Sequence, residues 1–137
     1  EEMRDQVNSK GLGEVVEFIG GCDDIPAFLG KADAFVMSSD YEGMPMAMLE
    51  AMSSELPIVC TDFRGVEDIV KHEISALISE VGNSIELANN MIKVMESDSL
   101  RKSLVQHSSK NLERFSIEVT NQKYLEIYES TVRNGMN

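Results

Sequence analysis

Residues 41–52 decide the fold of this chain; they read Tyr-Glu-Gly-Met-Pro-Met-Ala-Met-Leu-Glu-Ala-Met. Just upstream, residues 34–37 form an apolar run that is long enough for a strand buried in a parallel sheet. Pro45 suits the first turn of a helix, and residues 46–54 are mostly good helix formers. The stretch therefore predicts a strand, a turn and a helix, with Glu42 at the carboxyl end of the strand.

The two carboxylates of this stretch, Glu42 and Glu50, lie eight residues apart in unlike settings. Glu42 belongs to a Gly/Pro turn, whereas Glu50 lies in an apolar, Met-rich helix. A buried or half-buried Glu in such a helix is costly unless it has a partner, and a ligand hydroxyl is one candidate. Free N–H groups at a helix start attract anions, and ligands of open α/β sheets bind at the carboxyl edge of the strands. We therefore expect a ligand site at this turn.

Short apolar runs alternate with helical patterns along the rest of the chain. This alternation predicts an α/β fold with a Rossmann-like parallel sheet and flanking helices. Asp24, Ser84, Asp98 and Ser116 are the expected helix caps. The apolar stripe expected on the helix after Ser84 consists of Leu87, Ala88, Met91, Ile92 and Met95. The predicted strands cover residues 15–19, 34–37, 57–60 and 76–78, and a short helix is expected at residues 66–70.

The composition limits the classes of protein that this chain can be. Its 137 residues suit one domain with a modest core. Residues 1–70 carry 15 acidic and 4 basic side chains, a net charge of −11, so they offer no basic stripe for nucleic acid. No apolar run of this sequence approaches the ~20 residues that span a membrane, and its opening residues do not have the pattern of a secretory signal. Cys22 and Cys60 form no disulfide framework and suit a reducing compartment, so we expect a cytoplasmic location.

An ordered set of short patterns resembles the retaining, nucleotide-sugar-dependent glycosyltransferases of the GT-B fold, in particular family 4. Its centre is an E-x7-E pattern in the setting Ser38-x-x-x-Glu42-Gly43-x-Pro45-x-x-x-Leu49-Glu50-Ala51-Met52. Further matches lie at residues 15–20, 24–26, 32–36, 57–62, 65–70, 115–116 and 124–129. A lone E-x7-E pattern is a weak signal, whereas the ordered set spans nearly all of the chain. The implied fold is the C-terminal part of a GT-B glycosyltransferase.

The resemblance implies a role for each part of the site. Glu42 would contact the donor sugar near its reacting carbon, where a carboxylate stabilises developing positive charge. Glu50 would accept hydrogen bonds from the ribose hydroxyls of the nucleotide. Backbone groups would bind sugar hydroxyls and diphosphate along Gly43, Met44, Pro45, Met46 and Ala47, and would hold the nucleobase at Gly20, Gly21 and Cys22. No metal and no cofactor is implied.

The residues taken alone leave plainer readings open for the same positions. Glu42 would then be a solvated turn carboxylate and Glu50 a surface helix residue. The methionines would only fill the core, and residues 20–22 would form an ordinary turn.

The resemblance also implies what the whole protein does. Residues 1–137 would be a single partial domain that binds the donor, a UDP- or GDP-linked sugar, and the N-terminal acceptor domain would be absent. The complete enzyme would transfer the sugar to a hydroxyl of a sugar or a lipid-linked sugar, in cell-surface polysaccharide or glycolipid synthesis. It would act in the cytoplasm, at the inner face of the membrane, and this piece alone would be inactive.

Several positions depart from the family pattern. Arg64 replaces the first glycine of a Gly-Gly pair, and Asp68 stands where a Glu is usual. Glu55 takes the place of a helix-ending glycine, and Glu73 lies in a turn that is usually rich in Asn and Gly. Two other functions stay open: a degenerate binding module without catalysis, and a receiver-like signalling domain. A receiver domain needs a lysine after the strand at residues 76–78, and this chain has none there. A receiver domain also does not account for the paired glutamates.

Overall fold

The computed structural model describes residues 2–135 and contains one parallel sheet with helices around it. The helices are α1 (Glu2–Ser9), α2 (Ile25–Leu29), α3 (Met46–Ser53), α4 (Ser84–Glu96), α5 (Asp98–Leu112) and α6 (Ile117–Gly135), with short 3₁₀ turns at Val66–Asp68 and Glu113–Phe115. The strands are β1 (Phe35–Met37), β2 (Ile58–Thr61) and β3 (Leu77–Ser79). The predicted α/β class is confirmed. None of the described helices is long and apolar enough to cross a membrane.

The sheet has the order β1-β2-β3, and both pairings are parallel. All four residues of β2 are buried, and they alternate between two layers. Ile58 and Cys60 join a core with Met48 and Met52 of α3. Val59 joins a second core with Val94 and Leu104, which belong to α4 and α5.

The strand predicted at residues 15–19 is wrong. The backbone N–H groups of Val15 and Val16 both donate to the carbonyl of Leu12 at 3.0 Å, and Val15 is 78% exposed. A strand forms only where a neighbour supplies a ladder of hydrogen bonds, and no strand of the described chain pairs with this segment. Residues 15–19 have the apolar pattern of a strand, but no neighbouring strand in the described chain is available to pair with them.

Two of the four predicted helix caps are confirmed. The Asp24 side chain accepts from the Ala27 N–H at 3.0 Å, and the Ser116 hydroxyl accepts from the Val119 N–H at 3.2 Å. Ser84 and Asp98 instead begin their helices, one residue after the caps. The caps there are Asn83 and Ser97. In both places two cap-competent residues are adjacent, and the earlier one takes the position.

Helix α4 packs against the sheet with a different face from the one that the predicted apolar stripe indicates. It buries Asn90 and Val94, whereas Met95 is 70% exposed. The Asn90 amide donates to the Ser79 hydroxyl at 2.9 Å and to the Ile78 carbonyl at 3.4 Å. A buried amide requires such partners, and these bonds to β3 hold that face of the helix against the sheet.

A side chain forms a hydrogen bond with the outer edge of β3. The Nδ1 atom of His72 accepts a hydrogen bond from the Ile78 N–H at 2.9 Å. In a parallel pair every second N–H of an edge strand points away from its neighbour. His72 is exposed, and its ring satisfies one of these outward donors.

The two departures from glycine at Glu55 and Glu73 coincide with strained backbone. They are the non-glycine residues with positive φ, 57° and 59°. The Glu55 N–H donates to the Met52 carbonyl at 3.2 Å, and the Leu56 N–H donates to the Ala51 carbonyl at 3.0 Å. This is a Schellman motif with Glu55 at the position that favours glycine.

We expect Glu55→Gly to stabilise the folded chain by about 1 kcal/mol, because glycine adopts the left-handed conformation without the Cβ clash. Chemical denaturation measures the change in the free energy of unfolding. Ser53→Gly, in the last turn of the same helix, is the control and should destabilise by about 0.5 kcal/mol. Equal destabilisation by both substitutions would show that Glu55 is not strained.

Helix α6 is poorly covered. Six of its large apolar side chains are 53–66% exposed. They are Ile117, Tyr124, Leu125, Ile127, Tyr128 and Val132. Its main contacts are with the turn Glu113–Phe115 that precedes it.

We therefore expect amide hydrogens of residues 117–132 to exchange faster than those of the strands, since few buried contacts oppose local opening. Hydrogen exchange on a dilute monomer measures this residue by residue. Helix α5 is the internal reference, because it buries Leu104 and Ser108. Strand-like protection across α6 would contradict the prediction.

Candidate functional site

The turn between β1 and α3 lies at the carboxyl edge of the sheet, as predicted. Glu42 is half-buried in this turn, and Pro45 is buried at the N-cap position of α3 rather than inside the helix. The Met46 N–H donates to the Met44 carbonyl at 2.9 Å, and the Met48 N–H donates to the Pro45 carbonyl at 2.9 Å. These bonds fold the turn directly into the helix.

The Glu42 carboxylate is held by a hydroxyl. Ser39 donates to Oε1 of Glu42 at 2.6 Å. The Thr61 hydroxyl, at the end of β2, in turn donates to the Ser39 carbonyl at 2.5 Å. Sequence reasoning assigned neither hydroxyl a role. The first bond spans three residues and is a local turn contact that sequence can suggest, whereas the second spans 22 residues and requires the sheet.

Backbone donors accompany the carboxylate. The N–H groups of Gly43, Met44 and Ala47 have no hydrogen-bond acceptor among the described residues, and no side chain caps α3. A helix start with free donors binds anionic or hydroxyl oxygens. The turn therefore presents donors beside an acceptor. Met44, Met46 and Ala47 are exposed, so their side chains do not fill the core.

Glu50 is exposed, although its apolar neighbours favour at least partial burial. Helix α3 buries Met48, Ala51 and Met52, which leaves Glu50 on the solvent side, four residues after exposed Met46. The apolar character of its neighbours reflects the opposite face. An exposed carboxylate here is available to a ligand, and its predicted contact with ribose stays a prediction.

Residues 20–22 form an exposed loop before α2. Gly20 has φ 78°, a conformation that favours glycine. Cys22 is half-buried, and its thiol donates to the Asp24 carbonyl at 3.4 Å. No hydrogen bond of the described chain joins this loop to the Glu42 turn, although α2 contacts α3. The nucleobase role of these residues stays a prediction.

The loop after β2 contributes a buried anchor and an exposed cation. Phe63 is buried, and Gly65 adopts φ 89° before the turn Val66–Asp68. Arg64, which replaces a glycine of the family pattern, is exposed.

Two cavities flank the carboxyl edge. A small one, of about 140 Å³, lies between the turn, Thr61 and the start of α4, and includes Asp40 and Asn83 in its lining. A larger one, of about 690 Å³, lies beside β3. Its acidic residues, Asp62, Glu67, Glu80 and Glu86, outnumber Lys71 and His72. An acidic lining disfavours a diphosphate, so size alone does not mark the larger cavity as the donor site.

Comparison with known proteins gives the family of this chain. Residues 1–111 match the model of the glycosyl transferases group 1 family. The chain belongs to this family. The predicted recognition as a GT-B glycosyltransferase is thereby confirmed, while the roles assigned to the two glutamates stay predictions.

Individual relatives agree with the family. The chain is 26% identical over 119 residues to the N,N'-diacetylbacillosaminyl-diphospho-undecaprenol alpha-1,3-N-acetylgalactosaminyltransferase of Campylobacter jejuni, covering 87% of the chain and 32% of the relative. It is 30% identical over 116 residues to the UDP-Gal:alpha-D-GlcNAc-diphosphoundecaprenol alpha-1,3-galactosyltransferase of Escherichia coli, covering 85% of the chain and 30% of the relative. The chain thus spans about a third of the length of these group 1 transferases.

A solved structure supports the same fold. The crystal structure of Anabaena HepE in complex with UDP superposes with a TM-score of 0.88 at 26% identity, over 94% of this chain and 36% of that chain. The parallel sheet with flanking helices is therefore the GT-B arrangement.

The two cysteines of this group 1 domain differ in burial, since Cys22 is half-buried and Cys60 is buried. Burial, and next the charge of Asp62, raise the pKa of the Cys60 thiol to about 12. Almost no thiolate then exists at neutral pH. We expect an alkylating reagent at pH 8 to modify Cys22 in the folded chain and Cys60 only in denaturant. Peptide mass mapping reads out both sites, and rapid modification of Cys60 without denaturant would contradict its burial.

Proposed function

We propose that this chain is the donor-binding part of a retaining glycosyltransferase, which transfers a sugar from a nucleotide-diphosphate sugar to a hydroxyl acceptor. The observation that carries the proposal is the Glu42 turn. There a half-buried carboxylate lies beside backbone N–H groups that have no acceptor in the described part of the chain, at the sheet edge where α/β proteins bind ligands.

The two kinds of group suit the two parts of such a donor. The N–H groups of Gly43, Met44 and Ala47 supply hydrogen bonds to diphosphate and sugar oxygens. Glu42 supplies negative charge where the sugar becomes cationic in the transition state. Glu50, exposed on α3, supplies an acceptor for ribose hydroxyls. Residues 20–22 supply backbone groups for the base.

The relatives favour particular substrates. HepE forms a complex with UDP, and the E. coli relative is named for UDP-Gal, so we propose a uridine-diphosphate sugar as donor. Both named curated relatives are described as acting on diphospho-undecaprenol-linked sugars. We propose a lipid-linked sugar acceptor and a role in cell-surface polysaccharide or glycolipid synthesis.

The charge of the chain implies that the donor site needs further groups. Residues 1–70 carry a net charge of −11, which repels a diphosphate. We propose that cations from other parts of the full-length protein offset this charge, and that the chain alone binds donor weakly and does not turn it over. In the front-face route that we propose, the leaving phosphate assists deprotonation of the acceptor.

We expect Glu42→Gln in the full-length enzyme to lower kcat by about 100-fold with little change in nucleotide affinity, since its charge acts mainly in the transition state. Steady-state kinetics at saturating donor measures kcat, and calorimetry measures nucleotide binding. Glu55→Gln, at the far end of α3, is the control. Turnover near wild type in Glu42→Gln would overturn the role of Glu42. A wild-type protein that binds donor without any transfer would indicate the binding-only alternative.

We expect Glu50→Ala to weaken nucleotide binding by about 1–3 kcal/mol, the scale of lost hydrogen bonds to a charged group. Calorimetric titration with uridine diphosphate measures the dissociation constant in the full-length protein. Glu96→Ala, which removes an exposed carboxylate at the end of α4, is the matched control. Equal affinity in both variants would reduce Glu50 to a surface residue.

A further inference from the structure

We propose that Ser39 and Thr61 are positioning residues that hold the Glu42 carboxylate in its working orientation. This inference rests on the proposed role of Glu42 toward the donor sugar. The structure joins the three side chains in one chain of hydrogen bonds, from Thr61 to the Ser39 backbone and from the Ser39 hydroxyl to Glu42.

The first link fixes the carboxylate. The 2.6 Å distance from the Ser39 hydroxyl to Oε1 of Glu42 is typical of a hydroxyl donating to an ionised carboxylate. The bond occupies one oxygen of Glu42 and leaves Oε2 without a partner among the described residues. Because the side chain is half-buried and bonded, it loses rotamer freedom before any ligand arrives.

The second link fixes the backbone that carries Ser39. The Thr61 hydroxyl donates to the Ser39 carbonyl at 2.5 Å, with a longer 3.5 Å contact to the Met37 carbonyl. Thr61 is 4% exposed and ends β2, the strand paired on both sides. The turn is therefore attached to the central strand of the sheet, so that the carboxylate takes its position from the most constrained part of the fold.

The consequence concerns turnover more than binding. A carboxylate that stabilises a developing charge must be held within a fraction of an ångström, and small misplacements cost large factors in rate. Donor binding relies on the N–H groups and on Glu50, which these hydroxyls do not contact. Losing either hydroxyl should lower kcat and leave KM for the donor almost unchanged.

Steady-state kinetics of the full-length enzyme, with UDP-sugar as the varied donor, tests the proposal. We expect Ser39→Ala and Thr61→Val each to lower kcat by at least about 10-fold, with KM for the donor changed by less than about 3-fold. Thr61→Ser keeps the hydroxyl and should restore most of the rate. Ser53→Ala is the control, because it removes an exposed hydroxyl of α3 that makes no hydrogen bond to Glu42, and it should turn over like wild type.

A double-mutant cycle separates positioning from simple destabilisation. If Ser39 acts through Glu42, adding Ser39→Ala to Glu42→Gln should lower kcat little further. Additive losses, or a full rate in Ser39→Ala, would overturn the positioning role. Assays are run well below each variant's melting temperature, so that a fall in kcat does not reflect unfolded protein. A full rate in Glu42→Gln alone would instead defeat the proposed function.

Discussion

The central strand β2 is the constraint on which the rest of the structure depends. It is paired at both edges and buried on both faces, so its residues must satisfy two cores at once. A shift of one residue in the register of β2 would turn each of its side chains toward the opposite face of the sheet and disrupt both cores. With the register fixed, the ends of all three strands meet at one edge. There the hydroxyl of Thr61 reaches the turn after β1.

The turn itself combines features that a stable core would avoid. The N–H groups of Gly43, Met44 and Ala47 have no acceptor within residues 2–135, and the Glu42 carboxylate is only partly in water. Solvent makes the free donors tolerable, and the Ser39 hydroxyl offsets the partial burial of Glu42. Donors for an anion and an acceptor for a cation thus lie within a few residues of each other. A donor sugar leaving a diphosphate develops this separation of charge as its bond breaks.

Local elements were predictable from sequence, and non-local ones were not. The strand, turn and helix around Glu42 follow from residues close together in the chain, as do the caps at Asp24 and Ser116. The strand expected at residues 15–19 failed because pairing depends on a partner that sequence does not reveal. The face of α4 failed because buried Asn90 bonds to β3, more than ten residues away. The exposure of Glu50 was not predictable from sequence, because buried methionines on one face of a short helix do not show whether the opposite face is covered.

The His72 imidazole has a consequence for the behaviour of the chain in concentrated solution. An uncovered edge strand is a template onto which another chain can add by backbone hydrogen bonds, and such additions lead to fibres and precipitates. By occupying the outward N–H of Ile78, a single ring interrupts that template at β3. Replacing the ring with alanine would therefore show itself as turbidity on concentration or storage, in protein whose fold is otherwise unchanged.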